Sequence, residues 1–356
     1  MKPNIKDWTL KEFEAYLGER KQPAYRARQT RQWLYQKRAV SFAEMTNLSG
    51  PFRSQLEEEF SISRLYVIRR AASADGTVKF LFRLADGQNI ESVLIPETKR
   101  LTLCISTQAG CGFGCQFCAT AALGLKRNLR ASEMIDQVLE ANLTLNGARR
   151  ITHVVLMGMG EPLANYDQTV KALDVITDTY WGIGISPRRV TLSTVGLVPQ
   201  IEKLMAETRV NLAISLHAPN DEIRSRLMPV NRKYRLQQLM DCCRSLPIPR
   251  RKRITFEYVL LRGVNDSADH AGQLCRLLEG VRCKVNVIPF NPHPESPFER
   301  PSEPEVQRFQ QVLSSRGVQV NVRRPRGDDI QAACGQLQGD ELLLGSKQAV
   351  LAADAQ

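Results

Sequence analysis

The 356-residue chain has no run approaching the ~18 consecutive apolar residues that a membrane-spanning helix needs. Its start, Met1-Lys-Pro-Asn-Ile-Lys6, lacks the apolar stretch of a secretory signal. Both absences point to a cytoplasmic protein with no membrane partner. Nine cysteines, an odd number, in a chain without an export signal argue against a disulfide framework and for metal-binding or catalytic thiols. No internal repeat and no low-complexity segment is present. Acid is in deficit: 49 Lys and Arg face 37 Asp and Glu, a net charge of +12. That balance suggests a polyanionic partner, nucleic acid before others, with a merely soluble basic enzyme as the competing reading. The stretch from Arg20 to Arg38 holds no acid at all. It carries Arg20, Lys21, Arg26, Arg28, Arg31, Lys37 and Arg38, with Tyr25, Trp33 and Tyr35 interleaved. Arg250-Arg-Lys-Arg253 and Arg323, Arg324 and Arg326 are two further clusters.

What is present centres on Cys111-Gly-Phe-Gly-Cys115-Gln-Phe-Cys118, a C-x3-C-x2-C spacing in a glycine-rich stretch. Four-iron clusters usually take four thiolates, and structural zinc sites take four ligands in paired halves. A tight set of three leaves one iron open to a small molecule. A structural zinc site or three unrelated core cysteines is the competing reading. The spacing, with Phe117 before the last cysteine, resembles that of the radical S-adenosylmethionine (SAM) enzymes. The resemblance implies a 4Fe-4S cluster on Cys111, Cys115 and Cys118, with the amino and carboxylate groups of SAM on the fourth iron.

Along the chain, residues 1–60 read as a small helical module that binds RNA through its basic face. Pro23 marks a helix start, Ser41 and Glu44 have capping-box spacing, and Pro51 opens a helix through Phe60. Tyr25, Trp33 and Leu34 read as its apolar side. Residues 61–97 alternate in hydrophobicity over Leu65–Arg69, Val78–Arg83 and Asn89–Ile95. Asp75-Gly76 and Asp86-Gly87 separate these runs, so a short antiparallel meander is expected. Glu91 lies on its last strand, where a solvent-facing glutamate is the competing reading.

Residues 98–340 alternate strand and helix patterns. Strands are expected at Leu101–Ser106, Ile151–Met157, Arg189–Ser193, Val210–Leu216, Ile254–Leu261 and Lys284–Pro289. Helices are expected after an N-capping Ser132 and over 166–180, 198–208, 236–246 and 267–278. Six β/α units predict a parallel sheet with its ligands at the C-terminal strand ends. The radical SAM resemblance implies a partial (β/α)6 barrel. Residues 341–356 read as a tail.

Polar residues follow several of these strands. Gly158-Met-Gly160-Glu161-Pro162 offers close backbone approach and a carboxylate for an ammonium group. Ser193, Ser215-Leu216-His217 and Asn291 offer hydroxyls, an imidazole and an amide to a ribose, carboxylate or adenine. Cys104 sits seven residues before the cluster, and Cys334 sits in the glycine-bounded loop 327–337. Cys242, Cys243, Cys275 and Cys283 read as packing residues, and spacing alone does not separate Cys104 from them.

Taken together, Pro23–Arg28, Trp33–Lys37, Glu91–Pro96, Lys126–Leu129, Gly158–Pro162, Ser215–His217, Gly263–Asp266 and Ala333–Leu337 resemble the RlmN-type adenine-C2 RNA methyltransferases. Their Cfr-type relatives, which methylate C8, share these residues. The resemblance implies two SAM per turnover and cofactor contacts from Gly160, Glu161, Ser193, Ser215, Leu216, His217 and Asn291. It implies that Cys334 carries the methyl group. Cys104 would resolve the intermediate through a disulfide, and either Glu91 or Cys104 would take the ring proton. Implied substrates are an adenine of the peptidyl-transferase centre of 23S rRNA and an adenine beside the anticodon of tRNA. An electron donor such as flavodoxin or ferredoxin and a monomeric state complete the expectation. A radical SAM activase and an RNA-binding protein with a structural cluster are the rivals from other classes.

Overall fold

The structure is a computed structural model describing residues 2–145, 147, 149–294 and 296–339; the expected tail over 341–356 lies outside them. The N-terminal module has three helices, α1 (Leu10–Glu19), α2 (Tyr25–Gln32) and α3 (Gly50–Glu59). α1 begins with a full capping box: Glu12 N–H donates to Thr9 Oγ1 at 3.2 Å, and Thr9 N–H donates to the Glu12 carboxylate at 2.7 Å. Pro51 occupies the first turn of α3, as its sequence predicts. Ser41 and Glu44 close only a three-residue 3-10 turn, with the Ser41 hydroxyl 3.0 Å from the Glu44 carboxylate. Leu34 is buried and Trp33 half-buried, but Tyr25 is 54% exposed and does not join the apolar side. Packing at this end comes instead from Trp8, Tyr16 and Phe60, whose rings meet edge-on at 5.0–5.6 Å.

Strands β1 (Tyr66–Ala72), β2 (Val78–Arg83) and β3 (Asn89–Pro96) form the antiparallel meander, turned at Gly76 and Gly87. β4 (Leu101–Cys104) pairs antiparallel with β3, so the meander is continuous with the main sheet. A hairpin of β5 (Gln108–Gly110) and β6 (Leu125–Asn128) frames the cysteine loop, with the short α4 (Ala119–Ala122) between them. Alternation then runs α5 (Ala131–Leu143), β7 (His153–Leu156), α6 (Tyr166–Thr177), β8 (Val190–Thr194), α7 (Val198–Glu207) and β9 (Asn211–Ser215). It continues with α8 (Asp221–Leu227), α9 (Leu236–Ser245), β10 (Ile254–Leu260), α10 (Ala268–Leu277), β11 (Cys283–Pro289), α11 (Glu303–Ser315) and β12 (Val320–Val322). Ten strands form one sheet in the order β1-β2-β3-β4-β7-β8-β9-β10-β11-β12, parallel from β4 onward. The six expected β/α units are therefore present, and β12 adds a seventh parallel strand.

Ser132 does not cap α5. Arg130 is the N-cap, two residues earlier, because the Glu133 carboxylate accepts from Arg130 N–H at 2.8 Å and fixes the first turn. α5 is buried along nearly its whole length because the N-terminal module lies on it. Lys6 reaches Asp136 at 2.7 Å in a fully buried ion pair, and both partners also engage Ser63. Burial pushes the Asp136 carboxyl up to about 6 against the pull of Lys6. Arg31, counted above in the basic face, is buried and paired with Asp174 and Asp178 on the barrel side. One hydrophobic core runs unbroken from Ile5 and Phe13 through Phe80 and Leu103 to Phe309. No helix among the described residues is long and apolar enough to cross a membrane.

Lys6→Ala leaves Asp136 buried and unpaired, so unfolding in denaturant should show a loss of about 3–5 kcal/mol. Lys6→Met with Asp136→Leu should recover most of it. A midpoint unchanged in the single variant would contradict the docking described here.

Candidate active site

The parallel strands end around one open cavity with apolar walls and a few polar groups, the character of a small-molecule site. Gly160 and Glu161 after β7, Ser193 on β8, Ser215 and His217 at β9, and Asn291 after β11 all line it. Of the residues expected there, Leu216 turns its side chain into the core and offers only backbone. Cys118 and Cys334 face the cavity from opposite ends of the chain.

The cysteine loop is held by backbone. Gly110 has φ +76, and a Cβ there would stand 1.9 Å from the Gly124 carbonyl oxygen, so only glycine passes. Cys111 N–H donates to that same oxygen at 3.0 Å, and Cys118 N–H to Cys115 O at 3.1 Å. Burial lifts all three thiols, Cys111 to about 11, and the neighbouring cysteines raise Cys111 and Cys115 further. A bound metal favours the thiolates and reverses these shifts. Among the described residues, no three His, Cys, Asp or Glu side chains converge on a single metal-ion position. Cys111 and Cys115 both feel the charge of Cys118, as thiols gathered by one loop do, and three thiolates from one loop suit an iron–sulfur cube with one corner open. The loop fits a cube.

Glu161 is buried without a cationic partner among the described residues. Its oxygens accept from Leu163 N–H at 2.9 Å and Val195 N–H at 2.8 Å. Burial lifts its carboxyl to about 7 in spite of those bonds. A ligand ammonium fits that unmet charge. Gly160, at φ +96, presses on Gln108, whose side-chain carbonyl accepts from Glu161 N–H at 2.8 Å. His217 sits at φ +55, a rare backbone state for a histidine. Asn265 Nδ2 holds its carbonyl at 2.8 Å. Val259 N–H donates to His217 Nδ1 at 3.0 Å, so the neutral ring carries its proton on Nε2. Burial, and then Arg224, push its pKa down to about 3. His217 is thus a fixed neutral donor rather than an acid. Asn291 Nδ2 donates to Cys334 O at 3.2 Å, and its Oδ1 is buried with no partner, open to a donor on a ligand.

Cys334 rides on a loop stitched to four places. Gly335 O accepts from Ala119 N–H at 2.8 Å, Leu337 O from the Thr120 hydroxyl, and Pro292 O from Gln336 Nε2. The fourth anchor is Glu91. Rather than facing solvent, it is buried, pairs with Lys79 at 3.0 Å, and accepts from the backbone N–H of Gln338 and Gly339 at 2.8 and 3.1 Å. Lys79 also donates to Gln331 O at 3.2 Å, so one ion pair grips both sides of the loop. The Cys334 side chain stays open to the cavity although protein crowds it on most sides. That crowding raises its thiol, and the positive charge of Arg323 opposes the rise. Cys104, buried on β4, is near enough to Cys334 to feel its charge: burial first and Cys334 second lift its thiol. Cys242, Cys243 and Cys275 are buried away from the cavity, as their patterns predict, and Cys283 is half-buried.

Sequence reasoning missed Glu257, Arg224 and Lys79. Glu257 lines the cavity near Cys334, and burial raises its carboxyl while Asn286 donates to it at 2.8 Å. A single charge inside the wholly buried run Ile254–Leu260 was its only signal. Arg224 is fully buried and donates to the carbonyls of Val195, Ser215 and Leu216, tying two strand ends together.

Two family models match: the radical SAM superfamily over residues 105–275, and the N-terminal domain of ribosomal RNA large-subunit methyltransferases over 3–62. The chain is 51% identical over 336 residues to the dual-specificity RNA methyltransferase RlmN of Syntrophobacter fumaroxidans, covering 94% of this chain and 97% of the relative. It is 46% identical to the protein of the same name from Marinomonas, covering 93% and 91%. A crystal structure of a radical SAM methyltransferase from Sphaerobacter thermophilus superposes with a TM-score of 0.88 at 46% identity, over 95% of this chain and 100% of that one.

Glu91→Gln leaves Lys79 half-paired in the interior, so the Cys334 loop should loosen. Alkylation of Cys334 should accelerate, and stability should fall by up to about 3–5 kcal/mol. Unchanged alkylation would show that the pair does not hold the loop. Glu161 gives a pH signature. Its folded pKa stands near 7 against an ordinary 4.5, so the folded state binds the extra proton. Stability without ligand should therefore fall by about 3 kcal/mol as pH rises from 4.5 to 7. Glu161→Gln should lack this fall when denaturation midpoints are compared at pH 5 and 8.

Proposed function

The chain belongs to the RlmN family of radical SAM RNA methyltransferases, a 4Fe-4S and SAM family, and on that premise we propose that it methylates C2 of adenine in 23S rRNA and in tRNA. The observation that carries the proposal is Cys334, held open to the cavity between Cys104 and the cluster loop. An aromatic C2 carbon is electrophilic, so direct methyl transfer from a sulfonium fails there, and a carrier in the protein is needed. When bound, the cluster and SAM supply an electron that breaks a carbon–sulfonium bond and, from a second SAM molecule, a methyl group.

Cys111, Cys115 and Cys118 hold the cluster. Glu161 takes the SAM ammonium, His217 Nε2 and the serines of β8 and β9 donate to its oxygens, and Asn291 Oδ1 accepts from its adenine or ribose. Cys334 carries the methyl group to the ring as a thioether, with Arg323 favouring its thiolate. The Cys104 thiolate then forms a disulfide with Cys334 as the Cys334 sulfur–carbon bond breaks, and the carbon keeps the bonding pair and takes up a proton as the product's methyl group. Both oxygens of Glu91 are engaged by Lys79 and the loop, so Glu91 positions Cys334. Cys104, beside Cys334, is better placed to take the ring proton. The enzyme works as a cytoplasmic monomer supplied by a low-potential donor such as flavodoxin or ferredoxin.

The deciding experiment is anaerobic reconstitution with a ribosomal RNA fragment and with tRNA, followed by mass mapping of the new methyl group. Methylation at C2 is expected, and a methyl at C8 would assign the Cfr-type reaction instead. Cys334→Ala should assemble the cluster and leave RNA unmethylated. Cys104→Ala should accumulate a protein–RNA thioether, and full turnover by that variant would remove Cys104 from the resolving role.

A further inference from the structure

The strands that bring the site together at their C-terminal ends all begin at the opposite end of the barrel. Arginine marks the start of one after another. Arg188 and Arg189 directly precede β8, Arg253 directly precedes β10, and Arg282 directly precedes β11. Arg209 stands two residues before β9, and Arg150 three before β7. All six are exposed, and none makes a salt bridge among the described residues. Five adjacent parallel strands spaced ~4.8 Å apart set these starts along an arc of about 20 Å. Its end is marked at β4, where Arg100 is paired with Glu97.

The side chains of this arc crowd one another. Lys252 Nζ turns away onto the carbonyls of Arg209 and Val210. Burial first, then the charges of Arg188 and Arg209, lower its pKa. At His153, on the neighbouring strand start, burial and then Arg100 and Arg189 act in the same direction. Unpaired like charges held together destabilise the free protein, and a polyanion relieves that repulsion. At about 3.3 Å per residue, strands of four to seven residues separate the arc from the cavity by roughly 15–20 Å. The base in the cavity and the group on the arc therefore belong to different parts of a ligand.

We propose that this rim binds the phosphate backbone of an RNA segment remote from the methylated adenine, reached only by a folded RNA long enough to pass around the barrel. The proposal rests on RNA being the substrate. The rim adds affinity for large RNA without reading sequence, because its contacts are to phosphate.

The test uses reconstituted holoenzyme and the triple substitution Arg188→Gln, Arg209→Gln, Arg253→Gln, all exposed and outside the site. Binding is measured across a salt series for a long ribosomal RNA fragment and for a short hairpin with the same target adenine. For the long RNA, affinity should fall about tenfold, and the slope of log K against log salt should become shallower by about 2–3, as loss of three phosphate contacts requires. Hairpin affinity and cluster absorbance should not change, and the unfolding midpoint should hold or rise as the repulsion is relieved. Unchanged long-RNA binding, or an equal loss for long RNA and hairpin, overturns the proposal. So does loss of binding to phosphatidylglycerol vesicles with RNA binding intact, which would assign the rim to a membrane surface. Methylation of the hairpin by the wild-type enzyme is scored separately, so failure of the RNA-methyltransferase reading is distinguishable from failure of the rim.

Discussion

The buried pair of Lys79 and Glu91 is the interaction on which the site depends. It sits on β2 and β3, outside the barrel proper, and it receives backbone from both sides of the loop that carries Cys334. A buried ion pair gains little net stability over an apolar pair of the same shape, but removing one partner is expensive. What this pair contributes is position. A meander that could have been a mere edge to the sheet becomes the post to which the C-terminal loop is fastened. It fixes the loop over the strand ends 247 residues away in sequence, between Gln338 and Glu91. The same loop bonds to α4, immediately after the cluster cysteines, through Gly335 and Leu337. The cysteine loop, Cys334 and the cavity are thus held by one set of bonds.

Inside the cavity, charge is set by burial rather than by pairing. Glu161 is left without a cation and rises, while His217 is kept neutral with its proton directed by the Val259 amide. Burial pushes Arg224 down to about 10 against the pull of Cys115 and Asp221, and carbonyls accept from its guanidinium. The protein pays for these groups in the free state, and a ligand with an ammonium and several acceptors recovers the cost on binding.

Much of this was legible in the sequence because the deciding residues are local. The three cysteines, the glycine-glutamate-proline turn and the six strand–helix units are contiguous patterns, and each stands where its spacing predicts. What the sequence did not reveal is non-local. Lys79 reads as an alternating strand lysine until β3 and the Cys334 loop are placed beside it. Arg224 lies in α8, a helix of seven residues too short to show a period. β12 is three residues with a polar centre, and only its pairing with β11 makes it a strand. Ser132 failed as a cap because a neighbouring carboxylate, Glu133, was already bound to Arg127 and turned to the helix start.

Charge shows the same division most clearly. The net +12 was evident from composition, and three basic clusters stood out as runs. Yet Arg31, in the densest run, is buried in ion pairs with the barrel, and the field of Arg323 falls on Cys334 and Cys104. Arg31 is thus not the free surface cation that its run suggests, and Arg323, though exposed, acts on the site. The unpaired arginines are scattered through the sequence at intervals set by the β/α repeat, which is why no window of residues displays them together. A parallel sheet gathers every strand start at one end, so a single arginine before each strand becomes a continuous surface only after folding. Where a chain's excess charge acts is therefore a property of its topology, and in a β/α barrel the two ends separate it into a cavity with few, directed charges and a rim with many undirected ones.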